Sequence, residues 1–243
     1  MPGAGAGVSR RVVRAASIAW WFLADWVYAV RRQAVGLARG QSAERYRTPP
    51  GPGPHRLPVV LVPGVYESWR FLEPLTEALF TAGHPVHVVE ALGHNTGEVP
   101  AMAQAVRRFV DDQGLTGAAL VAHSKGGLIG KHLLVHHNGD GALRHLVAVN
   151  TPFSGSRYAR FLPGRTLRVF APGGPLLVEL ASSTGVNGSI TSVFSEVDPN
   201  IPGGSHLPGA TNVCIPGAVG HFRVLSDPRV QAAVLAALEP LPA

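Results

Sequence analysis

The stretch Ala118-Ala-Leu-Val-Ala-His-Ser-Lys-Gly-Gly127 runs from a short apolar segment straight into a helix start. Ala118–Ala122 reads as a buried strand and Lys125–His136 as a helix. A serine at so sharp a junction needs small residues two positions to either side, because strand and helix approach closely there. Ala122 and Gly126 meet that need. The turn lifts the Ser124 hydroxyl out of the sheet at its carboxyl end, where open α/β sheets bind ligands. The backbone N–H of Lys125, at a helix N-terminus, then faces the place where an attacked carbonyl would develop negative charge.

Working outward, short apolar runs alternate with helical patterns. Val59–Val62, Val86–Glu90, Leu143–Val149, Ile190–Val197 and Asn212–Ile215 read as strands. Trp69–Ala82, Pro100–Gln113 and Pro228–Leu238 read as helices. Continuous β-branched runs bounded by helices predict a mostly parallel sheet covered on both faces, an α/β class. Residues 56–243 are expected to form this one domain. Residues 1–55 precede it as an arm whose end, Thr48–Pro58, is rich in proline and glycine and reads as a hinge.

Two late segments carry the remaining chemistry. Ser192-Val-Phe-Ser-Glu-Val-Asp198 is a strand ending in an acid, and Gly217-Ala-Val-Gly-His221 follows the next strand. Both ends belong beside Ser124 at the carboxyl edge of the sheet. Alternation along the strand points the rival acid, Glu196, elsewhere. The order Ser…Asp…His is the one α/β-hydrolases use. Over residues 58–238 the chain resembles that family, and within it the small bacterial esterases and lipases whose elbow reads A-H-S-x-G.

The resemblance implies that Ser124 is a nucleophile, His221 its base and Asp198 the acid that orients His221. In the family the strand matching Val60–Val62 usually ends in His-Gly, and the backbone beyond it gives a second oxyanion donor. Here Pro63 stands in the histidine's place and Gly64 matches, so Val65 joins Lys125 as the expected donor, with Tyr66 the alternative. Tyr66 and Phe153 are expected against the substrate. The stretch Phe161–Leu180, with Phe170, Leu176 and Leu177, forms either a lid or packing on the sheet. Asn150–Gly155 is expected to shape the pocket floor. The implied activity is hydrolysis of a carboxylic ester of acyl or lipid character. Acyl transfer or thioester cleavage on the same triad is the alternative, and a non-catalytic binding module on a hydrolase fold is the reading from another class.

Other residues are read more plainly. His123 packs beneath the elbow, while His94 and His206 are placed at the cleft mouth. His132 and His136 stand four apart on one helix, but no acidic third ligand goes with them in the sequence, so no metal or other cofactor is expected. Cys214, the lone cysteine, excludes an internal disulfide and is read as a buried thiol.

Charge is distributed unevenly. Residues 1–50 hold eight of the 21 basic side chains and two of the 15 acidic ones. The remaining 13 and 13 cancel, which argues against a basic nucleic-acid groove on the domain. In the arm, Arg10, Arg11 and Arg14 precede the apolar run Ala15–Val30, and Arg31 and Arg32 follow it. Trp20, Trp21 and Trp26 lie within seven residues, and Trp favours the headgroup level of a bilayer. A helix lying on an anionic membrane through residues 10–32 is the preferred reading. A helix capping the domain, or a true anchor, are the alternatives. Asp25 is costly at a membrane centre, and no small-x-small cleavage site closes the run. The chain is accordingly expected at a membrane periphery or in the cytoplasm. Since Ser124, Asp198 and His221 all follow residue 58, the arm is expected to be dispensable for a soluble ester.

Overall fold

The computed structural model describes residues 20–34, 42–50, 56–161 and 164–239. Six strands form one sheet: β1 (Val59–Val62), β2 (Val86–Val88), β3 (Ala118–His123), β4 (Leu143–Val149), β5 (Ile190–Val197) and β6 (Thr211–Val219). Their order is β2-β1-β3-β4-β5-β6, and every pairing is parallel. Parallel neighbours need crossovers, and helices supply them. These are α2 (Glu73–Thr81), α3 (Val99–Asp112), α4 (Lys125–His136), α5 (Arg165–Arg168), α6 (Pro175–Ser182) and α7 (Pro228–Leu238), preceded by α1 (20–34).

Because strand side chains alternate, β1 feeds two cores at once. Val60 and Val62 pack with Val106 of α3, Leu128 of α4 and Leu177 of α6. Val59 and Leu61 pack with Leu75 of α2 and Val230 of α7. Helices thus cover both faces, which is why the strands read as unbroken apolar runs.

Among the boundaries that differ from the sequence reading, two have a plain cause. Trp69–Ala82 divides into a 3₁₀ turn, Trp69–Leu72, and α2, with Pro74 in the first turn of α2. β6 runs on through Pro216 to Val219, because an edge strand tolerates a residue without an N–H. On that edge Cys214 is exposed, not buried as expected.

The register of β5 on β6 positions the site. Val197 pairs with Val219, and Gly220 N–H donates to Val197 O at 2.9 Å. Asp198 and His221 therefore leave the sheet side by side.

The helix α1 lies against the domain. Asp25, Tyr28, Ala29 and Arg32 fall on one helical face, and each meets the body. The Tyr28 hydroxyl is 2.6 Å from Ser226 Oγ. Arg32 donates to Arg70 O and to Glu73 Oε2 at 2.7 and 3.1 Å, so it is turned inward and does not face a lipid surface. Arg10, Arg11 and Arg14, and residues 51–55 of the hinge, lie outside the described residues. Among the described residues no helix is long and apolar enough to cross a membrane.

Candidate active site

Ser124 sits between β3 and α4 at φ 51°, ψ −118°. That left-handed conformation costs a non-glycine residue about 1–3 kcal/mol, and the packing around it holds it in place. A Cβ on Gly126 would lie 2.2 Å from Val62 O, and one on Gly127 would lie 2.0 Å from Thr151 Oγ1. Only glycine lets α4 cross β1 and the 150–152 turn so closely. The Ser124 N–H is secured on Val149 O at 2.9 Å.

Asp198, His221 and Ser124 are brought into one line. His221 Nδ1 lies 2.7 Å from Asp198 Oδ2, and Nε2 lies 2.9 Å from Ser124 Oγ. An ionised Asp198 only accepts, so Nδ1 carries the hydrogen and Nε2 is free to accept from the serine hydroxyl. The other carboxylate oxygen, Oδ1, accepts from the backbone N–H groups of Asn200 and Ile201 at 2.8 and 3.0 Å. Burial pulls the His221 pKa down, but the charge and hydrogen bond of Asp198, helped by Glu67 and Asp25, leave it above the ordinary histidine value. Glu196 is held elsewhere, accepting from Gly217 N–H at 2.7 Å.

A second, buried set of polar groups holds His221 from behind, a task the sequence reading assigned to none of them. His123 Nε2 donates to His221 O at 2.9 Å, while its Nδ1 faces both oxygens of Glu67 at 2.9 Å. Glu67 also accepts from Gly64 N–H at 2.7 Å. A Cβ on Gly64 would come within 2.8 Å of that carboxylate, which accounts for the glycine at the end of β1. Asn150, at φ 44°, donates to Gly220 O at 3.0 Å and accepts from Ser195 N–H at 3.0 Å. Asp25 of α1 accepts from the backbone N–H of His221, Phe222 and Arg223 at 2.8, 3.0 and 2.9 Å.

Lys125 contributes only backbone to the Ser124 side. Its ammonium is buried, donating to Asn95 O at 2.8 Å and to Gly97 O, and desolvation lowers its pKa to about 8. Its N–H is among the unpaired donors that open a helix.

Ser124 and His221 open into a cavity of about 530 Å³. Val65 and Tyr66 line it, as do Pro152, Ser156, Leu167 and Phe170. Phe153 does not: it is buried in the core beside α6 and borders a separate, smaller hollow with Lys131. Its neighbours Pro152 and Ser156 take the place expected of it. Of the stretch Phe161–Leu180, Leu167 and Phe170 reach the cavity, Leu177 and Leu180 are core, and Phe161 is exposed. His94 and His206 do not line it, and His206 borders the smaller hollow instead.

The far wall is α1, through Phe22, Trp26, Ala29 and Val30. The expectation that the arm is dispensable for a soluble ester is therefore revised, since residues of α1 both line the cavity and hold the His221 backbone.

One further cluster corrects the sequence reading. Glu179 of α6 joins His132 and His136, with one ligand-type atom from each within 4.8 Å of the others. His136 Nε2 lies 2.6 Å from Glu179 Oε1, a hydrogen-bonded pair. Residue 132 is eight positions beyond Ser124 along α4, roughly 12 Å at 1.5 Å per residue. Activity on a soluble ester is expected to survive dialysis against a chelator. Loss of turnover with recovery on added zinc would show that this cluster supports the site.

No family model matches the chain, and no curated protein matches its sequence. Solved structures do. The mature form of the lipase BlEst2 from Bacillus licheniformis superimposes with a TM-score of 0.59 at 16% identity, over 78% of this chain and 95% of that one. An extracellular α/β-hydrolase from a Paenibacillus species gives 0.52 at 16% identity, over 75% and 98%. A thermophilic esterase from Thermogutta terrifontis gives 0.52 at 18% identity, over 81% and 98%. At such identities the likeness concerns the fold.

Proposed function

The chain has the α/β-hydrolase fold, and from that premise we propose that it is a serine esterase or lipase cleaving an apolar carboxylic ester. The observation that supports this most is the Ser124–His221–Asp198 hydrogen-bonded line at the wall of an apolar cavity. Ser124 Oγ attacks the ester carbonyl carbon while His221 Nε2 takes its proton. The oxyanion that forms is held by the backbone N–H of Lys125 and of Val65, with Tyr66 the alternative second donor. Collapse breaks the bond to the alcohol, which leaves with the proton from His221. Water, deprotonated by the same nitrogen, then releases the acid and restores Ser124.

A lipid-borne substrate fits the outer face of α1, where Trp20, Leu23, Val27 and Val30 are exposed. Rings and aliphatic chains at that level favour contact with an anionic membrane through residues 10–31, with Arg32 taken up by the domain. Labelling by a fluorophosphonate, followed by hydrolysis of a p-nitrophenyl ester series with and without anionic vesicles, tests both parts. Ser124 is expected to label, and vesicle binding to weaken as salt rises. An unlabelled protein that turns over no ester would end the esterase reading; salt-independent failure to bind vesicles would end the membrane one.

A further inference from the structure

Two sets of contacts made by α1 converge on the reaction centre. The first is the cavity wall. Phe22, Trp26, Ala29 and Val30 face Ser124 and His221 across the cavity, whose volume lies within the roughly 300–1,000 Å³ usual for small-molecule sites. Among the described residues, apart from two tyrosines, the ionisable side chains lining it are His221 and Glu67. Glu67 is occupied by Gly64 N–H and His123. A charged group on the substrate would therefore find no partner among the described lining residues, at a cost of several kcal/mol.

The second is Asp25. It is 1% exposed, and its carboxylate is satisfied by three consecutive backbone N–H groups, starting at His221 itself. Gly220 makes room for it: its φ is +115°, and a Cβ there would lie 2.6 Å from Asp25 Oδ1. With His123 Nε2 on His221 O, the His221 peptide groups are held on both sides. One of the two holds comes from α1. Trp26, next along the helix, meets Phe222 edge to face at 5.6 Å.

We propose that α1 is the chain-binding wall of the active site and that Asp25 is a positioning residue, making helix docking and placement of His221 one event. This rests on the esterase reading and deepens it. The substrate is an uncharged ester whose apolar chain lies along Phe22, Trp26 and Val30.

The test uses the full chain with two series, p-nitrophenyl esters of rising acyl length and acetates of rising alcohol length. Val30 is exposed at the cavity mouth, so Val30→Trp leaves the core untouched. It is expected to change the long-to-short ratio of kcat/KM about tenfold or more in one series. Val178→Trp on α6, also exposed but away from the cavity, is the control and should leave the ratio alone. Asp25→Asn keeps one accepting oxygen and should lower kcat roughly 10–100-fold with little change in KM. It should also move the acidic limb of the pH–rate profile downward, because a negative charge near His221 is gone. Asp25→Ala should lose more.

Unaltered ratios for Val30→Trp in both series would overturn the wall. A drop in melting temperature for Asp25→Asn with kcat and the acidic limb unmoved would reduce Asp25 to a structural tie and overturn its positioning role. If both Asp25 variants fail to fold, the Val30→Trp ratios decide the proposal as a whole. Failure of the wild type to label or hydrolyse would instead strike the esterase reading itself.

Discussion

Ser124→Ala is expected to abolish fluorophosphonate labelling and to lower ester turnover by roughly 10⁴–10⁶. On the proposed reading the hydroxyl supplies the attacking oxygen, and its hydrogen bond is to His221 Nε2 at 2.9 Å. No structural tie is broken by removing it, since the Ser124 backbone remains held on Val149 O. The variant should therefore melt close to the wild type. What activity is left would come from binding and the oxyanion donors alone. A folded variant that keeps substantial, probe-sensitive turnover would place the nucleophile elsewhere.

Asp198→Asn should lower turnover by about 10³–10⁴ while leaving the fold intact. The reason lies in the loop that follows β5. Asn200 and Ile201 N–H groups both donate to Oδ1, so an asparagine would keep its oxygen there and turn its NH₂ toward His221. Nδ1 would then have to accept, the proton would move to Nε2, and the imidazole could no longer take the Ser124 proton. The negative charge of Asp198 also supports the raised His221 pKa. A base must be neutral to act, so wild-type activity should rise with pH through a value above the ordinary histidine range. In Asp198→Asn that limb should move lower. Glu196→Gln, which touches only Gly217 N–H, should do little. The reverse pattern between the two variants would mean the other carboxylate orients His221.

The strands and the three residues of the line were legible because each obeys a local rule. β1, β4, β5, α4 and α7 begin and end where the apolar runs do. Ser124 announces itself by the small residues Ala122 and Gly126 two positions to either side, and Asp198 and His221 by standing just past successive strands. What supports them was not legible. Glu67 follows Gly64 by three residues and looks like any surface acid until β3 carries His123 alongside it. Asp25 reads as a flaw in an apolar run, and only the contact with a loop 196 positions away explains it. Phe153 was misplaced because a strand-end turn does not reveal which of its residues face inward.

That separation along the chain sets a schedule for synthesis. Ribosomes add roughly 5–20 residues per second, so α1 emerges about 10–40 s before His221 and Phe222. Throughout that interval Asp25 lacks the three amides it accepts from, and Trp26 lacks its edge-to-face neighbour Phe222. On the proposed reading, the Ser124–His221–Asp198 line cannot form in a nascent chain that stops short of His221. Docking of α1 can begin on Arg70 and Glu73, but it is completed only by a long-range closure onto His221 and Phe222, of the kind that slows folding.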